Sequence, residues 1–194
     1  MLIAFHKPFD VLSQFTQELP HHRTLAEFGF PPGVYAIGRL DRDSEGLLLL
    51  SDEPRWTDRL LNPRQAHPRT YHAQVEGTAT ESALEPLRRG VRLKEFRALP
   101  CTARVLLEKE VHHPERLPPI RFRKSIPTSW ISLTLTEGKN RQVRRMTAAI
   151  GLPTLRLLRV AIGQFQLSES GLAAGQWREL TPPEQQKLLH RQAR

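Results

Sequence analysis

Apolar and polar positions along the chain fall into short blocks, and most of the blocks read as strands. Leu2 to Phe5 is an apolar run stopped by Lys7-Pro8, and Val11 to Phe15 predicts a second strand. Residues 16–33 are rich in Pro, His and Gly, with a short helix expected from Thr24 to Phe28. Val34 to Leu40 predicts a strand that delivers Asp41 into a turn, and Gly46 to Leu50 has the unbroken apolar character of a fully buried strand. Pro54 suits the first turn of a helix that runs to Leu61 and is ended by Asn62-Pro63. From Thr70 to Gly77 the chain alternates, with Tyr71, Ala73 and Val75 on one side and His72, Gln74 and Glu76 on the other. Thr80 is a good cap for a helix to Arg89, with Gly90 past its end. Four prolines between residues 109 and 128 predict a long surface loop. Trp130 to Glu137 alternates again, with Ile131, Leu133 and Leu135 inward. Asn140 caps a helix to Ile150, closed by Gly151 and Pro153, and Leu155 to Ile162 is a further strand. The end of the chain, about 183–194, reads as a helix or a flexible tail. Strands outnumber helices and do not alternate with them regularly. An α+β fold with a mixed, mostly antiparallel sheet follows.

At 194 residues the chain is long enough to bury about 70% of the surface it exposes when unfolded. It needs no disulfide or metal for a core, and its single cysteine, Cys101, permits neither an internal disulfide nor a Cys-x-x-Cys framework. No apolar run has the length of a membrane span, and the N-terminal apolar stretch is too short for a signal peptide. A soluble, cytoplasmic, monomeric protein is expected. The net charge of +9, carried mainly by arginine, points to a polyanionic partner, above all nucleic acid.

Two segments carry candidate chemistry. In the predicted helix Val143, Met146, Thr147 and Ile150 share one face, and Arg141, Arg144, Arg145 and Ala148 share the other. From Gly138 to Val160 the basic residues Lys139, Arg141, Arg144, Arg145, Arg156 and Arg159 have no acidic companion. A solvated face is the ordinary reading of such a run. However, arginines in a first turn meet the positive end of the helix dipole, so an anion or a carboxylate partner explains them better. The second segment is Gly38-Arg39-Leu40-Asp41-Arg42-Asp43-Ser44-Glu45-Gly46. Its acids mimic the first half of an EF-hand loop with Asp52 in the twelfth place, but the leucines between them argue for a strand. They also suit an ordinary turn. In a third reading Asp41 is a nucleophile at a sugar carbon, a role open to a carboxylate that neighbouring arginines keep ionised. The pairs His21-His22 and His112-His113 are poor chelators on strands, where neighbours point to opposite faces, and are expected in loops; no metal site is expected.

The segment 38–49 resembles the central motif of the RsuA/RluB/RluE/RluF family of bacterial RNA pseudouridine synthases. Lys7-Pro8 with Val11-Leu12-Ser13 looks like the family's opening motif, and Arg69 to Val75 like its tyrosine strand. Glu137 to Met146 looks like its arginine motif, and Leu155 to Gly163 like the strand that follows. Arg42-Asp43-Ser44-Glu45 and Ser125-Ile126-Pro127-Thr128-Ser129-Trp130 look most like the RluE type, which acts on large-subunit (23S) rRNA. Two positions depart from the pattern, with His6 where Asn is usual and Arg69 where Lys is common.

The resemblance implies a pseudouridine synthase catalytic domain over residues 1–194. It would have two subdomains sharing one sheet, a central catalytic cleft and no S4 module. It implies Asp41 as nucleophile, Tyr71 stacked on the uracil and able to serve as a base, and Arg144 paired with the aspartate. Arg39 would fill the gap left by an extruded base. Lys139, Arg141 and Arg145 would be phosphate contacts, and Lys7 of the opening motif is placed with them among the RNA-binding residues. No cofactor is implied. Alternatives that use the same basic surface are a non-catalytic rRNA-binding or assembly protein, or the same chemistry on small-subunit rRNA.

Overall fold

The strand Leu2–Lys7 is buried at all six positions, and the strand Glu45–Ser51 at all seven, because both faces of each are covered. The computed structural model describes residues 1–120 and 126–189. In chain order its strands are β1 (Leu2–Lys7), β2 (Val11–Leu12), β3 (Arg23–Thr24), β4 (Tyr35–Ala36), β5 (Glu45–Ser51), β6 (Arg69–Glu76), β7 (Thr102–Val105), β8 (Thr128–Leu135), β9 (Thr154–Ile162), β10 (Phe165–Gln166) and β11 (Trp177–Glu179). The helices are α1 (Pro54–Leu61), α2 (Glu85–Arg88), α3 (Gln142–Ala149) and α4 (Pro182–Leu189). The α+β class with a mixed sheet is as expected. Among the described residues no helix is long and apolar enough to cross a membrane.

The chain forms two compact units, 1–69 with 158–194 and 70–157. In the first unit β1 is antiparallel to both β11 and β5, and β5 runs parallel to β9 through Glu45–Leu158 and Gly46–Arg159. One face of β1 and β5 (Leu2, Ala4, Leu47, Leu49) packs with Trp56 and Leu60 of α1 and Leu188 of α4. On the other face Phe5 meets Phe28 and Phe30 with ring centroids 4.9 and 5.1 Å apart. An apolar run covered on both sides is what a strand without alternation requires.

In the second unit β7 is antiparallel to β8 and β8 lies beside β6. Ala73, Val75, Ile131, Leu133 and Leu135 form its core with Val143 and Met146 of α3 and Leu84 and Leu87. Cys101 packs against this core, its Sγ 3.3 Å from the Leu87 carbonyl, and burial pushes its thiol up to about 11.

Several elements differ from expectation. The predicted strand 34–40 pairs only at Tyr35–Ala36, because Gly38 turns the chain at φ 73°. Val11 to Phe15 pairs only at Val11 and Leu12. The helix expected from Thr80 to Arg89 breaks into a 3-10 turn, Ser82–Leu84, and the short α2. α3 starts at Gln142, two residues after Asn140, with Arg141 at φ 48° before it. Residues 182–189 of the expected tail are helical; Ser125 and the last five residues lie outside the described residues.

Candidate active site

In the first unit the segment after Gly38 is held from three sides. The Ser13 hydroxyl donates to the Leu40 carbonyl (2.8 Å) and accepts from the Leu40 amide (3.0 Å), which fixes the residue before Asp41. The Ser44 amide donates to the Asp41 carbonyl (3.0 Å) and closes a turn over 41–44. Arg42 donates from Nε to Asp10 (2.5 Å), and its carbonyl accepts from the Asp10 amide (2.9 Å). Asp41 itself is half-buried. Directly after the turn Gly46 adopts φ 102°, and a Cβ there would lie 2.3 Å from the Arg159 carbonyl oxygen. The acid cluster thus ends in a strand packed backbone to backbone on β9. Glu45–Ser51 is extended and buried, so residues 41–52 do not wrap as a calcium loop would, and Asp52 pairs with the Met1 amino group. Arg39 is exposed and donates from Nη2 to Gln14 Oε1 (3.0 Å).

Lys7 corrects an expectation. It has 0% exposure, so it makes no phosphate contact in this conformation. Its Nζ donates to the carbonyls of Ser44 (2.7 Å), Pro8 (3.0 Å) and Arg42 (3.4 Å). A core lysine of β1 therefore reaches up to hold the Asp41 turn from below. Burial lowers Lys7 to about 7, against the raising influence of Glu45, Asp43, Asp10 and Asp41. With its folded value below the unfolded 10.5, the native state binds fewer protons than the unfolded chain between about pH 7 and 10. Raising the pH through that window therefore adds stability, and below pH 7 the term is flat. Thermal melts of the wild-type chain are expected to rise from pH 7 to 9.5 relative to those of Lys7→Met. A constant difference would mean that Lys7 stays protonated throughout.

In the second unit Tyr71 sits on β6, half-buried against the core. Arg144 lies in the first turn of α3 and donates from Nη1 to the Thr154 carbonyl (3.3 Å). Arg141 is exposed. Gln142 shapes this corner. Its side chain accepts from the Lys139 amide (3.0 Å) and donates to Glu137 (2.6 Å), which delays the helix. Lys139 and Arg145 both lie over the Phe96 ring, at 4.6 and 5.1 Å, and Arg145 pairs with Glu95.

Two arginines counted with the basic surface are core residues. Arg156 donates to the Pro114 carbonyl (2.8 Å) and Arg159 to the Leu47 carbonyl (2.8 Å), and both are buried. His113 is not a bare loop histidine. Its Nε2 lies 2.9 Å from His72 Nδ1 and its ring 5.1 Å from that of Trp130. Burial first, then Arg104, lowers His72 to about 4. The sequence separation of these partners left no local signal for the pairing.

Residues 1–149 match the model of the RNA pseudouridylate synthase family. The chain belongs to this family. A Xanthomonas campestris protein named ribosomal large subunit pseudouridine synthase E is 52% identical over 179 residues, covering 92% of this chain and 94% of its own length. A Vibrio vulnificus protein of the same name is 49% identical, covering 94% of this chain and 76% of its own. A Bacillus subtilis synthase B is 36% identical, over 94% of this chain and 69% of its own. Among solved structures, a pseudouridylate synthase crystal structure superposes with a TM-score of 0.78 at 26% identity, covering 96% of this chain and 73% of that one. A carboxylate stands on a pinned, half-buried turn in one unit. A tyrosine and a helix-start arginine stand in the other.

Proposed function

We propose that this synthase converts a uridine of large-subunit (23S) rRNA to pseudouridine without a cofactor, as a cytoplasmic monomer. The observation that carries the proposal is the 52% identical relative that spans nearly all of both chains and is named for the large ribosomal subunit.

The Asp41 carboxylate is the nucleophile at C1′, directly or after a glycal forms. The N1–C1′ bond breaks, the uracil turns, and C5 bonds to C1′. The carboxylate leaves, the C5 proton goes to solvent and N1 gains one. The base is flipped out of its stack because inside it C1′ is out of reach. Arg39 fills the space it leaves. Tyr71 stacks on the uracil and can take the C5 proton, and Arg144 supplies positive charge to the carboxylate. Arg141, Lys139 and Arg145 meet phosphates.

Release of tritium from RNA carrying 5-³H-uridine tests this. Arg144→Ala is expected to slow release by about 10²–10³-fold, the usual size for one preorganised charged group. RNA affinity should stay within a few-fold of wild type. A large loss of affinity with unchanged turnover would make Arg144 a phosphate contact and refute its assigned role.

A further inference from the structure

Residues 91–98 form a hairpin of the second unit that the assigned chemistry does not use. The Leu93 amide donates to the Phe96 carbonyl (2.8 Å) and the Ala98 amide to the Val91 carbonyl (3.0 Å). Arg92 and Arg97 are thus directly opposite each other. They occupy the non-hydrogen-bonded position of the ladder, where cross-strand side chains approach most closely. Val91, Leu93, Phe96 and Ala98 turn inward to the core, which sends Arg92 and Arg97 to the exposed side. Lys94 is exposed at the tip. Like charges placed directly across a ladder destabilise it, and among the described residues no acid pairs with Arg92, Lys94 or Arg97. Several other cations of this unit are matched: Arg88 by Glu81 and Glu85, Arg104 by Glu110 and Arg145 by Glu95. The hairpin is continuous with the start of α3, because its Phe96 ring carries both Lys139 and Arg145.

We propose that the Arg92–Arg97 hairpin is a further RNA-binding surface, which continues from Lys139 and Arg145 and grips the phosphate backbone of the substrate. The proposal rests on the reading that rRNA is the substrate. Arg97 donates from Nε to the Gly90 carbonyl (3.0 Å) and from Nη2 to the Arg89 carbonyl (3.5 Å), but among the described residues no carboxylate neutralises the pair, and a polyanion laid across the two guanidiniums removes their repulsion. The contact is with phosphate, not bases, so it adds affinity without sequence preference.

The test uses full-length protein and transcribed large-subunit rRNA, with binding measured over a KCl series. Arg92→Ala/Arg97→Ala is expected to weaken binding at least about tenfold near 0.1 M salt and to lower the slope of log affinity against log salt by about 1.4–1.8. Its melting should change little, because relief of the repulsion offsets the loss of the Arg97 bonds to the Gly90 and Arg89 carbonyls. Tritium release at saturating RNA should be unchanged, with a raised KM. Arg55→Ala, which removes an exposed arginine on α1 paired with Glu53, serves as the control and should leave the slope nearly as it was. Unaltered affinity and slope in the double variant, or an equal change in the control, overturns the proposal. Binding is read without turnover, so a failure of the catalytic reading leaves this result separately interpretable.

Discussion

Asp41→Asn is expected to lower tritium release from 5-³H-uridine RNA by at least about 10⁴-fold, the scale seen when a nucleophile is removed from a preorganised site. RNA affinity should stay the same or rise slightly, since the variant removes one negative charge from a surface that meets phosphate. The shape of the turn should survive. Its closing bond uses the Asp41 carbonyl, and Ser13 holds the backbone of Leu40. An aspartate that merely formed a turn would accept asparagine with little effect on rate. Turnover within tenfold of wild type would therefore remove Asp41 from the nucleophile role and leave a binding or assembly protein as the better account.

Gly46→Ala should be among the most damaging small substitutions for the fold. The residue sits at φ 102°, and an added Cβ would meet the Arg159 oxygen at 2.3 Å and its nitrogen at 2.8 Å. Neither is a flexible side-chain end; both belong to the backbone of β9. Strain at this φ costs about 1–3 kcal/mol and overpacking about as much again, so a loss of roughly 3–5 kcal/mol is expected in urea or thermal unfolding. Activity should fall with it, because the glycine follows the Asp41 turn directly. A loss under about 1 kcal/mol would show that β9 can yield.

The residues that the sequence made legible are those whose signals are local. Pro54 at the start and Asn62-Pro63 at the end gave α1 its observed limits. Ile131, Leu133 and Leu135 alternate on a strand with one buried face, and they are buried as read. Lys7 was misread because β1 is covered on both faces. Such a strand has no polar side to reveal where a lysine points, and the carbonyls of residues 8, 42 and 44 account for it. The start of α3 was misplaced because Gln142, which looks like an ordinary helical residue, ties Lys139 and Glu137 into a turn of their own. Arg156 and Arg159 looked like surface charge beside Arg144 and Arg145, yet each is buried on a carbonyl far along the chain. The hairpin 91–98 went unread because its turn, Lys94-Glu95, carries no glycine or asparagine.

The Asp41 turn is tied to Ser13, to Asp10 and, through Lys7, to the fully buried strand β1. A turn backbone so anchored has little freedom left to surrender when substrate arrives, and little capacity to reach for it. Accommodation then falls to the nucleic acid. With Asp41 as the proposed nucleophile, uridines in bulges, loop apices and weakly paired ends, which swing free with the least effort, would be the natural clients of so unyielding a mould.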